Sequence, residues 1–279
     1  MSKVNAAFAA ALAGAVLISA APAFAAQCNH QAGFEGFIAD FKKEAASKGI
    51  SKKGLAALEG ISVDDKVLAA DRNQKVFKQT FEQFSGRMIS KDRLVKGARQ
   101  MQQHAEDIKR IEKHYGVPGS VIVAIWGLET DYGVNQGKMS VVRSVATLAY
   151  DCRRTDKFQG ELVDALRIVD KGIMASADLK GDWAGEIGQT QFLPSSYVKY
   201  AVNFDGRGQP DLIHNASDVL ASTANYLKGH GWQRGQGWNL GEPNFAVIQE
   251  WNKAEVYAKT IALFAEKLDG GHADKRAQR

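Results

Sequence analysis

One carboxylate in this chain stands where carboxylates are seldom found. Glu129 lies near the end of VIVAIWGLETDYG (residues 121–133), one of the most apolar stretches of the 279-residue sequence. On a helix it shares a face with Ile122, Ile125 and Trp126 below it and with Tyr132 above. Apolar neighbours disfavour the anion, and so does the negative end of the helix dipole; the pattern therefore predicts an acid that stays protonated near neutral pH. Such a group is what general acid cleavage of a glycosidic bond requires. A rim glutamate paired with lysine or arginine has the same local sequence, and this segment alone leaves both readings open.

A second segment, AGEIGQTQFLPSSY (residues 184–197), could supply a groove wall. Gly185 and Gly188 let the backbone approach a neighbour closely, Gln189 and Gln191 bring amides into an apolar setting, and Pro194 opens a helix. Glu186, between Gly185 and Ile187, is a rival second carboxylate. At about 5–9 Å from Glu129 it would permit a two-carboxylate hydrolase. Its plainer reading is an exposed or ion-paired residue beside the groove.

Taken together, WGLETDYG, GEIGQTQFLPSSY, ANYLKGHGW and WNKAEVYAKTIA, in that order, resemble the lytic murein transglycosylases of the membrane-bound B type, including their soluble periplasmic relatives. The resemblance covers nearly the whole chain after residue 26. It implies a mainly α fold with a lysozyme-like helical core; here an additional N-terminal helical lobe is expected beside that core, with little or no β subdomain. It implies cleavage of the β-1,4 bond between N-acetylmuramic acid and N-acetylglucosamine of peptidoglycan strands, ending in a 1,6-anhydromuramic product, without metal or other cofactor. Glu129 falls on the family's single catalytic glutamate, which gives its proton to the leaving oxygen and then removes one from the C6 hydroxyl. The substrate's N-acetyl group stabilises the sugar cation between these steps, so no second catalytic carboxylate is needed.

The same resemblance implies substrate contacts at Gln191, Tyr226, Asn252 and Tyr257. Each also has a structural reading. Gln191 could satisfy a loop backbone, Tyr226 could be core, and Asn252 with Glu255 forms a capping box that opens the last helix and aims Tyr257. Two departures stand out. Relatives often carry a calcium loop where this chain has NFDGRGQPDLIH (residues 203–214); Asn203, Asp205 and Gly208 fit it, but Arg207 and His214 replace oxygen ligands, which predicts the turn without the ion. The connection from Trp232 to Trp251 is also short for a β subdomain. A muramidase-type hydrolase and a non-catalytic peptidoglycan-binding scaffold remain as alternatives.

The elements that must position these residues are helical nearly throughout. Periodicity predicts helices over 34–48, 76–84, 90–116, 121–132, 156–171, 183–191, 195–202, 217–228 and 253–268, with a frayed tail over 270–279. Helices of about 27–115 form the N-terminal lobe, packed on a core of about 116–269. Residues 1–26 read as a secretory signal: Lys3, an apolar run from Ala6 to Ile18, and the small-residue cleavage pattern Ala23-Phe24-Ala25. The run is short for a membrane span and lacks a basic stop, and Gln27 before Cys28 disfavours lipid processing. An exported, periplasmic chain makes a Cys28–Cys152 disulfide the default expectation. Without residues 1–26 the net charge falls from +5 to +4. That mild balance, with no tight basic cluster interleaved with aromatics, suits an anionic wall polymer and not a nucleic acid. The expected state is a monomer.

Overall fold

The computed structural model describes residues 26–73, 79–206 and 208–276, with side chains to residue 270. Residues 1–25 of the expected secretory signal, the start of the helix expected over 76–84, and Arg207 lie outside the described residues. Among the described residues, thirteen α-helices and one 3₁₀ turn are arranged around a hydrophobic core.

The N-terminal helices are α1 (Gly33–Ser47), α2 (Lys52–Leu55), α3 (Asp65–Arg72) and α4 (Phe81–Met88). α4 opens on a capping box, in which the Thr80 side chain accepts from Gln83 N–H and the Gln83 side chain accepts from Thr80 N–H. The helix expected over 90–116 is two, α5 (Lys91–Gln103) and α6 (Ala105–Tyr115), because His104 leaves helical geometry. The break lets each half follow its own neighbours: α5 packs on the central helix and the last one, while α6 packs on the helix of residues 216–229. The His104 ring meets Trp126 edge to face at 5.8 Å.

That central helix is α7 (Gly119–Thr130), in which every residue except Glu129 is buried. A helix apolar on all sides must be surrounded. Here α8 (Val141–Tyr150) and α9 (Thr155–Asp170) form an adjoining pair. They are followed by α10 (Pro194–Tyr200), α11 (Ala216–Gly229), α12 (Phe245–Trp251) and α13 (Glu255–Arg276). α5, α6, α11 and α13 pack directly on α7. α13 continues through residues expected to fray, as far as Arg276.

Residues 183–191 were expected to be helical and are not. Gly185, Gly188 and Gln191 take positive φ, which a helix cannot accommodate, and Ile187 bridges to both Gly181 and Phe192. The regular β structure among the described residues is one antiparallel pair, β1 (Met139–Ser140) and β2 (Lys180–Gly181). The fold is thus mainly α with little β structure, as expected.

Cys28 and Cys152 are disulfide-bonded, closing a separation of 124 residues. In the chain-entropy picture such a loop stabilises by about 4–5 kcal/mol. The bond also occupies the sulfur that a lipid anchor would need. Among the described residues no helix is long and apolar enough to cross a membrane.

Candidate active site

Glu129 lies in the last turn of α7, and the residues around it explain why that turn ends where it does. Asp131 and Tyr132 both adopt left-handed backbone (φ 54° and 63°). The Asp131 carboxylate is held by Arg93 at 3.3 Å and Lys96 at 2.9 Å, both from α5. Because the helix stops at Thr130, Tyr132 does not continue the face of Glu129 as the sequence suggested. Its ring folds back beneath α7, donating its hydroxyl to Arg93 O at 2.8 Å. Gly127 makes room for it: a Cβ there would lie 2.6 Å from the tyrosine oxygen.

The same turn is tied to the 184–192 segment. Trp126 Nε1 donates to Gln189 Oε1 at 2.9 Å, and Thr130 Oγ1 donates to Gln189 O at 2.5 Å. Gln189 in turn donates to Leu212 O from its backbone (2.8 Å) and to Ile213 O from its side chain (2.9 Å). One glutamine therefore joins the helix carrying Glu129 to the loop that faces it. Gly188 permits the approach, since a Cβ there would lie 2.3 Å from Leu212 O.

Glu129 opens onto a cavity of about 890 Å³, lined also by Asp182, Glu186, Gln191, Tyr226, Trp251 and Asn252. Trp251 Nε1 donates to Glu129 Oε1 at 2.8 Å, and Tyr257 OH donates to the same oxygen at 2.9 Å. With both donors on Oε1, Oε2 is the oxygen left to carry the proton. Burial pushes the carboxyl from its ordinary 4.5 up to about 7; the two donors pull against that rise, and the Asp182 charge adds to it. A carboxylic acid protonated near neutral pH is thus held in place by two neutral side chains. The same burial, with Glu129 beside it, pushes the Tyr257 phenol well above its usual range, so it acts as a donor.

Glu186 lines the same cavity. Burial and the neighbouring Asp182 and Glu129 charges push its carboxyl well above the usual range. Asp182, also raised by burial, accepts backbone N–H groups from Ala184 (2.8 Å) and Glu186 (3.0 Å). Ionisation of Glu186 is thus disfavoured, whereas a two-carboxylate hydrolase needs an ionised second carboxylate as base or nucleophile.

The residues singled out beside Glu129 gather at this cavity in different capacities. Gln191 lines it while its Nε2 donates to Gly188 O at 2.7 Å and Gln136 O at 3.3 Å. Tyr226 donates to Glu250 O at 2.7 Å and packs edge to face on Trp251 at 4.9 Å, so it is wall and support at once. Asn252 lines the cavity, but it does not cap the last helix. α13 begins at Glu255, and Asn252 Oδ1 accepts from Ala254 N–H at 3.0 Å in a local turn. Tyr257 directs its hydroxyl to Glu129.

Sequence reasoning missed Trp251, although it begins the WNKAEVY segment, and it missed Asp182. Arg154 and Lys157, before and on the first turn of α9, line the cavity and were also missed.

The residues of the 203–214 turn do not fit a calcium ion. His214 Nδ1 lies 3.1 Å from Asp211 Oδ2, where a bidentate carboxylate ligand would be needed. Buried Asp218 holds both sides of the turn, accepting from Phe204 N–H (2.7 Å) and Asp211 N–H (2.9 Å).

Residues 33–242 match the family model described as the transglycosylase SLT domain. The membrane-bound lytic murein transglycosylase B of Escherichia coli (strain K12) is 38% identical over 150 residues, which is 53% of this chain and 41% of that protein. The chain thus aligns with about two fifths of that curated relative. Two crystal structures of SltB3 from Pseudomonas aeruginosa match at 30% identity over 85% of this chain and 80% of theirs. One is in complex with NAG-anhNAM-pentapeptide (TM-score 0.79) and the other with NAG-NAM-pentapeptide (TM-score 0.80).

Proposed function

Because the chain belongs to the transglycosylase SLT domain family, we propose that it is a periplasmic lytic transglycosylase acting on peptidoglycan strands. It cleaves the β-1,4 bond between N-acetylmuramic acid and N-acetylglucosamine and leaves a 1,6-anhydromuramic end. The observation that carries this reading is the buried carboxyl of Glu129, its proton affinity raised by burial and its position fixed by Trp251 and Tyr257 in a cleft.

Glu129 first gives the proton on Oε2 to the leaving glycosidic oxygen. The N-acetyl group of the substrate stabilises the sugar cation that results. The glutamate, now an anion stabilised by its two donors, takes the proton from the C6 hydroxyl, whose oxygen closes the anhydro ring. The cycle ends with Glu129 protonated again and no water consumed. One group serves as acid and then base, for which a pKa near the working pH is suited. Gln191, Tyr226 and Asn252 bind and orient the glycan, while Tyr257 and Trp251 position the acid. NAG-anhNAM-pentapeptide and NAG-NAM-pentapeptide bound to SltB3 support a glycan strand as the partner.

Mass analysis of digested sacculi tests this reading. Anhydro-ended muropeptides are expected; products heavier by one water would make the protein a muramidase-type hydrolase, and no soluble product would make it a binding scaffold.

A further inference from the structure

The cleavage pattern Ala23-Phe24-Ala25 makes Ala26 the first residue after processing, one residue before the boundary drawn from the sequence as a whole. Ala26 is not a loose end. It is 5% exposed, its nitrogen donates to Glu44 Oε2 at 2.8 Å, and its carbonyl accepts from Gln159 Nε2 at 2.5 Å. Glu44 is itself buried on α1, with its other oxygen bound by Lys48 Nζ at 2.6 Å. Two residues further on, Cys28 is bonded to Cys152.

We propose that Glu44 is a receptor for the mature N-terminus: removal of the leader after Ala25 turns the Ala26 nitrogen into an ammonium that forms a buried ion pair with the Glu44 carboxylate. Hydrolysis of the Ala25–Ala26 peptide bond consumes one water and leaves a carboxylate on the leader and an α-ammonium on Ala26. Ala26 N is the one nitrogen in the folded chain whose charge this step changes, and it already lies on a carboxylate oxygen. Buried charges are stable when paired, so the gain on processing falls where a charge is waiting.

The consequence reaches the cleft. Gln159, which holds the Ala26 carbonyl, stands on α9 and also bonds Thr155 Oγ1 at 3.2 Å in the first turn. Arg154 and Lys157, beside that turn, line the cavity of Glu129. The disulfide and the terminal ion pair thus fasten the back of the cleft wall, and both form only after export. The inference rests on the export reading and is independent of the catalytic one.

The test begins with the intact mass of the protein exported with its own leader and isolated from the periplasm. A chain starting at Ala26 is expected; any other first residue overturns the proposal while leaving export intact, and absence of a processed form removes both. Next, the mature protein is compared with one carrying a single extra glycine before Ala26, released from a cleavable fusion. The extension keeps an amide on Glu44 but moves the charge away, and a fall in Tm of about 2–4 °C is expected. In the Glu44→Gln background the same extension should shift Tm by less than about 1 °C; an equal fall in both backgrounds, or none in either, overturns the proposal. Should Glu44→Gln fail to fold, titration of the ¹⁵N-labelled α-amino group decides. A pKa above the ordinary range of about 7.7–8.0 supports the pair, and one within or below it refutes it.

Discussion

The indole nitrogen of Trp251 donates to Oε1 of Glu129 at 2.8 Å, across 122 positions of sequence. The bond joins the end of α12 to the end of α7 at the point where the proposed chemistry occurs. It stabilises the anion, so its removal raises proton affinity. Trp251→Phe is expected to lower turnover about tenfold through lost orientation and to move the alkaline limb of the pH–rate profile to higher pH. Asp182→Asn removes a charge that favours the protonated form and should move that limb to lower pH. Profiles of both variants on soluble glycan strands check the two opposite signs.

Glu186→Gln puts an isosteric neutral amide in place of a carboxyl whose ionisation is disfavoured by burial and by the neighbouring Asp182 and Glu129 charges. Turnover on sacculi should stay within about threefold of the parent, because the proposed mechanism gives both proton transfers to Glu129. A loss as deep as that of Glu129→Gln would restore the two-carboxylate hydrolase.

Stability should record the perturbed acid as well. With its folded-state pKa raised from 4.5 to about 7, Glu129 keeps its proton longer in the folded chain than in the unfolded one. Its contribution is therefore intact below pH 4.5, declines as pH rises to about 7, and is flat above. The decline is at most about 3 kcal/mol. Glu129→Gln, which keeps an oxygen for both donors, should unfold like the parent at pH 4.5 and at higher denaturant than the parent at pH 8. Paired urea titrations at the two pH values measure the difference.

Gly127→Ala puts a Cβ 2.6 Å from the hydroxyl oxygen of Tyr132. Overpacking of this kind costs about 1–3 kcal/mol, and a fall in Tm of several degrees is expected by calorimetry. The displaced tyrosine carries the turn after Glu129 with it, so activity should fall further than stability alone accounts for.

Much of this arrangement was legible in the sequence. An unbroken apolar run with one carboxylate near its end announces a surrounded helix and a desolvated acid, and α7 is both. The gathering of Gln191, Tyr226 and Asn252 at the cleft followed from motifs. Hidden from the sequence were features that arise only when distant segments meet. The 183–191 stretch has helical spacing, yet its shape is set by pairing with Gly181 and by the docking of Gln189 on Leu212 and Ile213. His104 breaks a run of good helix formers because two sets of neighbours pull the halves apart. α8 was not among the expected helices, although its apolar residues return at helical spacing. Trp251 carries no local sign that it faces a carboxylate on another helix.

The central claim is that one carboxyl, on Glu129, performs both proton transfers. Release of muropeptides from sacculi by Glu129→Gln, measured beside sedimentation of the same protein with sacculi, tests it most directly. Cleavage is expected to fall by about 10³-fold, within the range a general acid–base group contributes, with binding retained. Cleavage within tenfold of the parent would contradict it.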